Sequence, residues 1–152
     1  MAVELGIGWM PPTPITDMLK LTGRFSNGTT EDGSFAAFVP ISTVYQGEIL
    51  QAKFSGLSVI SLDYTARLDK TLGINLSSSY FILSDLGTYQ GYYAERDGHF
   101  LGNEFFGRVI WSPFSDLQLN LGGGVFLPSM GNTDSQGETL WRIELNVKLA
   151  IF

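Results

Sequence analysis

The sequence predicts an all-β protein: an antiparallel up-and-down transmembrane β-barrel of about eight strands, or part of a larger barrel. Three observations predict this fold. Long segments alternate apolar and polar residues with a period of two, which is typical of strands. No segment reaches the roughly eighteen continuous apolar residues that a spanning helix needs. The hydrophobic content of 44% and the mean hydropathy of +0.13 are nevertheless high, as expected where alternation disperses the apolar residues.

The clearest alternating segment is 139–152, TLWRIELNVKLAIF. We call each set of alternate residues in a strand a parity. In this segment one parity is wholly apolar, whereas the other carries charges of both signs. The apolar parity consists of Trp141, Ile143, Leu145, Val147, Leu149 and Ile151. Such a run needs a strand longer than the roughly five or six residues common in soluble sheets. It fits a strand that crosses a bilayer at a tilt.

Six further strands are predicted before this one, so that strands begin at residues 2, 18, 57, 71, 103, 117 and 139. The first ends before Pro11, because proline cannot donate to a ladder. The third and fourth form a hairpin across Asp69 and Lys70. The segment 34–55 does not alternate for long, and it is predicted as either a folded loop or an additional hairpin.

The connections between these strands alternate in length. Those at 69–70 and 112–116 are short, and those near 27–55, 84–102 and 128–138 are long. Outer-membrane barrels have short periplasmic turns and long external loops, which predicts a periplasmic C-terminus. A closed bacterial barrel needs an even number of strands. An eighth strand could therefore come from 34–55; otherwise the chain, as one domain over 1–152, belongs to a larger barrel.

The C-terminal residues carry a family resemblance. The hairpin WSPFSDLQLNLGGGVFLP followed by LWRIELNVKLAIF resembles the C-terminal strands of bacterial outer-membrane β-barrel proteins, which usually end in an aromatic residue such as Phe152. The resemblance implies an outer-membrane location and a terminal strand that the insertion machinery reads. Phe152 falls on the polar parity here, whereas the family's terminal aromatic normally shares the apolar one.

The polar parity of the strands carries charged residues, which we predict to line the lumen. They are Glu4, Lys20, Arg24, Asp63, Arg67, Glu104, Arg108, Arg142, Glu144 and Lys148. In a small barrel, buried charges of both signs would pair into an ionic network. Alternatively, they would line a pore whose excess of basic residues favours anions, which needs more than about eight strands.

The apolar parity carries aromatic residues near the strand ends, namely Trp9, Tyr64, Tyr80, Trp111 and Trp141. We predict these as interfacial girdles, because each ring has an apolar body and, in Tyr and Trp, a polar tip. In a soluble sandwich the same residues would belong to the core. The loop aromatics Tyr89, Tyr92, Tyr93 and Phe100 would either bind an external ligand or pack the loop.

Catalytic and cofactor sites find little support. His99 is the only histidine and cysteine is absent, so we expect a solvated loop histidine rather than a catalytic or metal site. Gly122, Gly123 and Gly124 lack the Lys-Ser/Thr of a phosphate loop. Close approach of a neighbouring strand, or room for a bulky inward side chain, explains them better. No cofactor or metal is predicted.

The predicted function is that of an integral protein of a bacterial outer membrane, with a porin-like, transport or structural role and no catalysis. Its predicted partners are membrane lipid and the insertion machinery, with a small solute or ion that the sequence does not identify. Nucleic acid is not expected, given the net charge of −6. The alternative is a soluble lipocalin-like or avidin-like barrel whose apolar parity faces inward around a small hydrophobic ligand.

Overall fold

The computed structural model describes residues 1–28, 45–85, 98–131 and 137–150. They form one antiparallel sheet of seven strands in sequence order. The strands are β1 Ala2–Trp9, β2 Thr16–Ser26, β3 Leu57–Arg67, β4 Leu72–Leu83, β5 Phe100–Phe114, β6 Leu117–Leu127 and β7 Leu140–Leu149. A 3-10 turn, Pro128–Met130, follows β6. Within the described ranges, no helix has the length and hydropathy of a membrane span.

The predicted meander is therefore confirmed, with longer strands at three places. β5 continues to Phe114, so the connection predicted at 112–116 is only 115–116. β2 begins at Thr16 rather than residue 18, because its pairing with β3 continues to Thr16 opposite Arg67. β5 begins at Phe100 instead of residue 103, because a bulge opposite Phe81 and Ile82 lets the pairing continue. Alternation within one strand does not reveal such extensions, because a strand continues for as long as its neighbour supplies backbone hydrogen bonds to it, also across a bulge.

The connections lie at two ends of the sheet, as their lengths predicted. We call one end the turn end, where the connections are 10–15, 68–71 and 115–116. The other is the loop end, where the connections are 27–56, 84–99 and 128–139. β1 starts at the loop end and β7 finishes at the turn end, so the two edge strands run in the same direction.

The sheet has two chemically different faces. On the apolar face, one cross-strand row runs Ile7, Leu21, Leu62, Ser78, Phe105, Val125 and Trp141. On the charged face, a neighbouring row runs Gly8, Lys20, Asp63, Ser77, Phe106, Gly124 and Arg142. The alternation along each strand thus becomes a segregation across the whole sheet, because the register keeps like parities together.

The sheet is not closed into a barrel. Within the described residues β1 pairs only with β2 and β7 only with β6. The eighth strand that 34–55 could supply is not found in its described part, where the pairing is an isolated bridge between Gln46 and Ala52. The part from 34 to 44 lies outside the described residues.

The buried core lies on the charged face, near the loop end, and not on the apolar face. It consists of Leu57, Val59, Phe81, Leu83, Leu101 and Phe126. Val59 stands opposite both Arg24 and Phe81 in the register, which places the cluster on the face of the charges. Leu101 is the extra residue of the β5 bulge, and Gly102 beside it has a φ of +141°, a conformation that favours glycine.

Candidate functional site

The charged face holds a segment that folds back onto it between β2 and β3. We call residues 46–54 the inner loop. Its base is closed by two backbone hydrogen bonds between Gln46 and Ala52, of 2.8 and 2.9 Å. Four of its side chains pack against the buried core of the sheet: Ile49, Leu50, Ala52 and Phe54. The inner loop is therefore bound to the sheet by apolar burial as well as by its polar contacts.

One carboxylate of the sheet accepts three backbone hydrogen bonds from the inner loop. Glu104 Oε1 accepts from the N–H of Glu48 at 2.6 Å. Glu104 Oε2 accepts from the N–H groups of Ile49 at 3.0 Å and Leu50 at 2.9 Å. Glu104 is only 2% exposed, so its charge is stabilised by these donors in place of water.

Close approach of the inner loop to the sheet depends on Gly47. Its φ is +82°, a region that residues with a Cβ rarely adopt. A Cβ built there would lie 2.7 Å from Glu104 Oε2 and 2.8 Å from Phe81 Cζ. A larger residue would therefore push the inner loop away from the carboxylate that holds it.

Arginines from two distant strands also contact the inner loop. Arg24 of β2 donates from Nη1 to Gln46 Oε1 at 2.9 Å. Arg142 of β7 donates from Nη1 to the carbonyl oxygen of Glu48 at 2.6 Å. Because β2 and β7 stand at opposite sides of the sheet, the inner loop lies across the width of the charged face.

The remaining charges near the inner loop form ion pairs. Glu144 Oε1 lies 2.6 Å from Arg108 Nη2, and its Oε2 lies 2.9 Å from Arg142 Nη2. Arg108 Nη2 is also 3.6 Å from Glu48 Oε2, and its guanidinium stands 5.3 Å from the centre of the Phe106 ring. These pairs are partly exposed, so they order the arginines more than they stabilise the fold.

The register places all ten predicted lumen-lining charges on this one face. Glu4 pairs with Arg24 at 3.1 Å between Oε2 and Nε, and Lys20 stands opposite Asp63 in the register. Arg67 and Lys148 lie near the turn end, away from the inner loop. Arg67 donates to the carbonyl oxygens of Asp69 and Lys70. The charges are thus brought together as a surface, and the inner loop covers its loop-end part.

The predicted interfacial aromatics lie on the opposite, apolar face, in two groups. Trp9, Tyr64 and Trp111 are near the turn end, whereas Tyr80 and Trp141 are near the loop end. Tyr64 donates its hydroxyl to Asp17 Oδ2 at 3.0 Å. Tyr80 donates to the carbonyl oxygen of Met130, also at 3.0 Å. Both phenolic groups thus find polar partners next to the strand ends.

The glycine run in β6 has the structural role that the sequence suggested. A Cβ at Gly122 would lie 3.0 Å from Glu144 Oε1 and 3.0 Å from Phe106 Cζ, so this glycine makes room for bulky neighbours on the charged face. A Cβ at Gly124 would lie 2.1 Å from the carbonyl oxygen of Phe105, which reflects close approach of β5.

The structure gives His99 a hydrogen-bond partner in the backbone of β4. His99 directly precedes β5, and its Nδ1 lies 2.9 Å from the carbonyl oxygen of Leu83, the last residue of β4. Among the described residues, no group of three or more His, Cys, Asp and Glu side chains could hold a metal ion. Phe100 begins β5 and its ring centre lies 5.9 Å from that of Tyr80.

Some predicted residues fall outside the described part of the chain. They are the loop aromatics Tyr89, Tyr92 and Tyr93, the charges beside His99 at 95–97, the terminal residues 151–152 and most of the polar loop 27–33.

The sequence interpretation missed the inner loop and the core beneath it. The available signal was a change along the polar parity, which becomes apolar near the loop end at Leu57, Val59, Phe81, Leu83 and Phe126. Apolar residues on the charged face, confined to one end of several strands, indicate that something apolar covers them there. The four apolar residues of the inner loop are that cover.

Comparison with known proteins does not assign a family to this chain. No protein-family model matches the chain, and no curated protein matches it either.

Proposed function

We propose that this chain forms part of the wall of a β-barrel in a Gram-negative-type outer membrane, with its apolar face toward lipid and its charged face toward the interior. The role is porin-like or transport, without catalysis, and the solute would pass along the charged face. One observation carries the proposal: each of the seven strands exposes at least one large apolar side chain.

The extent of this apolar surface supports a membrane partner. Ile60 of β3 is 50% exposed, Leu121 of β6 is 55% exposed and Leu145 of β7 is 70% exposed. Soluble monomers rarely leave contiguous apolar patches larger than a few hundred Å² in water. The two groups of aromatic residues at the ends of this face are what a barrel places at both interfaces.

The inner loop favours the larger barrel over the eight-stranded one. A barrel of about eight strands has an interior that its own side chains fill. Here the charged face accommodates a backbone segment in addition to the side chains of the sheet. In addition, β1 and β7 run in the same direction, so pairing them directly would break the antiparallel pattern that outer-membrane barrels keep. We therefore propose that further strands complete the wall between these two edges.

The soluble lipocalin-like alternative receives no support from the position of the core. It requires the apolar parity to face inward around a ligand. The buried cluster and the inner loop instead pack on the charged parity, which supports the proposal that the apolar parity is the exterior of a closed barrel.

The experiment compares two neighbouring positions of β4 that face opposite ways. The chain has no cysteine, so Leu76→Cys and Asn75→Cys each give a single attachment point for a polarity-sensitive fluorophore. In lipid vesicles, we expect quenchers attached to lipid chains to quench the probe at 76 strongly and the probe at 75 weakly. Equal quenching at both positions, or none at 76, would contradict the proposed orientation.

A further inference from the structure

The inner loop occupies the place where a solute passing along the charged face would travel. It reaches from Arg24 of β2 to Arg142 of β7 and packs its apolar side chains onto the sheet between them. Within the described residues, it makes no ladder with any strand and its pairing is the internal bridge at its base. Its position is therefore determined by side-chain contacts and not by sheet hydrogen bonds.

Among these contacts, those of Glu104 determine the path of the backbone. Three successive N–H groups of the loop, at residues 48–50, point at one carboxylate. A hydrogen bond to an ionised acceptor is about twice as strong as a neutral one, and a buried carboxylate without donors is costly. The loop and Glu104 consequently stabilise each other in this arrangement.

We propose that the inner loop is the constriction of the solute pathway, and that Glu104 is the residue that positions it. The proposal rests on the proposed function, because a pathway along the charged face exists only if that face is the interior of a barrel. Glu104 acts through the loop and needs no contact with the solute. Removing its charge is expected to free the loop from the sheet and widen the pathway.

Glu104→Gln tests the positioning role with nearly unchanged side-chain volume. A Gln amide places N–H donors where one carboxylate oxygen now accepts, so at least one loop N–H would face another donor. Asp63→Asn is the matched control. It removes the same charge from the same face, and none of the hydrogen bonds or ion pairs described for the inner loop involves Asp63.

The first measurement reports the position of the loop. Leu50→Cys, made alone and with each of the two substitutions, is labelled in lipid vesicles with a water-soluble maleimide. We expect Glu104→Gln to raise the labelling rate of Cys at 50 by about tenfold or more, which corresponds to losing one charge-assisted hydrogen bond. Asp63→Asn should leave the rate unchanged. An equal rate in all three proteins would overturn the positioning role.

The second measurement reports the pathway. Chloride efflux from vesicles that contain the assembled barrel is expected to rise more with Glu104→Gln than with Asp63→Asn. Both substitutions remove one acidic charge from the charged face, which favours anions, but only Glu104→Gln frees the loop. Faster labelling at 50 with no more efflux than Asp63→Asn gives would show that Glu104 holds the loop but that the loop does not constrict a pathway.

Two further observations keep these outcomes separate from failure to fold and from failure of the proposed function. The quenching contrast between positions 76 and 75, measured in the Glu104→Gln background, reports whether the sheet has formed. If the variant does not fold, Gly47→Ala displaces the same loop from the other side of the contact and is tested in its place. A chain that lacks the quenching contrast without any substitution contradicts the membrane location itself.

Discussion

Leu145→Arg tests whether the apolar face contacts lipid. Leu145 is 70% exposed, lies in the middle of β7 and stands opposite Leu121. At about 3.3 Å per residue, it is about 13–17 Å from either strand end, or about 10–13 Å along the axis of a barrel whose strands are tilted by ~40°. That distance is about half of an apolar band of ~25 Å, so position 145 would lie near the bilayer midplane.

An arginine at the midplane on the lipid face costs about 2–4 kcal/mol, which is about thirtyfold to eight hundredfold in the folding equilibrium. The matched control is Asn146→Arg, the exposed neighbour on the charged face, where we expect a change within about 0.5 kcal/mol. Leu149→Arg, near the turn end, should cost only about 0–1 kcal/mol because the penalty falls toward the interface.

The assay is reversible urea unfolding in lipid vesicles, followed by tryptophan fluorescence. A protein whose apolar face is exposed to water would tolerate arginine equally at 145 and 146. Equal unfolding free energies for these two variants would therefore refute the membrane interpretation. A large cost at 145 that does not decrease at 149 would indicate a protein interface instead of a bilayer.

The remaining predictions concern the charged face and use the same unfolding measurement. Gly47→Ala should destabilise the protein by about 1 kcal/mol or more, because of its positive φ and the close contacts of an added Cβ. Gly23→Ala, where a Cβ meets nothing within 4 Å, is the control. Equal losses of unfolding free energy in the two variants would contradict the close packing of the inner loop on the sheet. Phe81→Ala should cost about 3–5 kcal/mol, because it empties a fully buried site in the core, and a loss below about 1 kcal/mol would show that the core is loosely packed. Glu144→Gln should lower the unfolding free energy by about 1 kcal/mol, because it releases two arginines. Glu4→Gln, in a more exposed pair, should lower it by less than about 0.5 kcal/mol. A larger loss for Glu4→Gln than for Glu144→Gln would show that the more stabilising ion pair lies at the sheet edge.

The strands and their faces could be predicted from the sequence because alternation is a local property. In β7, the odd-numbered residues from Trp141 to Leu149 are all apolar and the even-numbered residues from Arg142 to Lys148 are all polar. Because successive side chains of a strand point to opposite faces, this pattern assigns each residue to its face. The lengths of the connections likewise follow from the chain itself. The two ends of the sheet and the antiparallel order were predicted in this way.

The inner loop could not be predicted because its contacts are distant in sequence. Glu104 meets the backbone at 48–50 from β5, and Arg142 meets Glu48 from β7. The segment 45–56 alternates only over Leu50 to Phe54, which is too short to place it, so local patterns gave no position for it. Its place depends on a surface that exists only after six strands, β2 to β7, have assembled.

The sequence by itself thus determined which residues share a face and at which end each connection lies. Apolar residues at the loop end of the charged face indicate a cover, but the sequence could not determine which segment supplies it, because a strand pattern does not identify partners far along the chain. Only the tertiary structure brought Leu57, Phe81 and Phe126 together under the inner loop and turned Glu104 toward its backbone. The physical reason is that burial and buried hydrogen bonds are properties of the assembled surface, whereas alternation is a property of each strand.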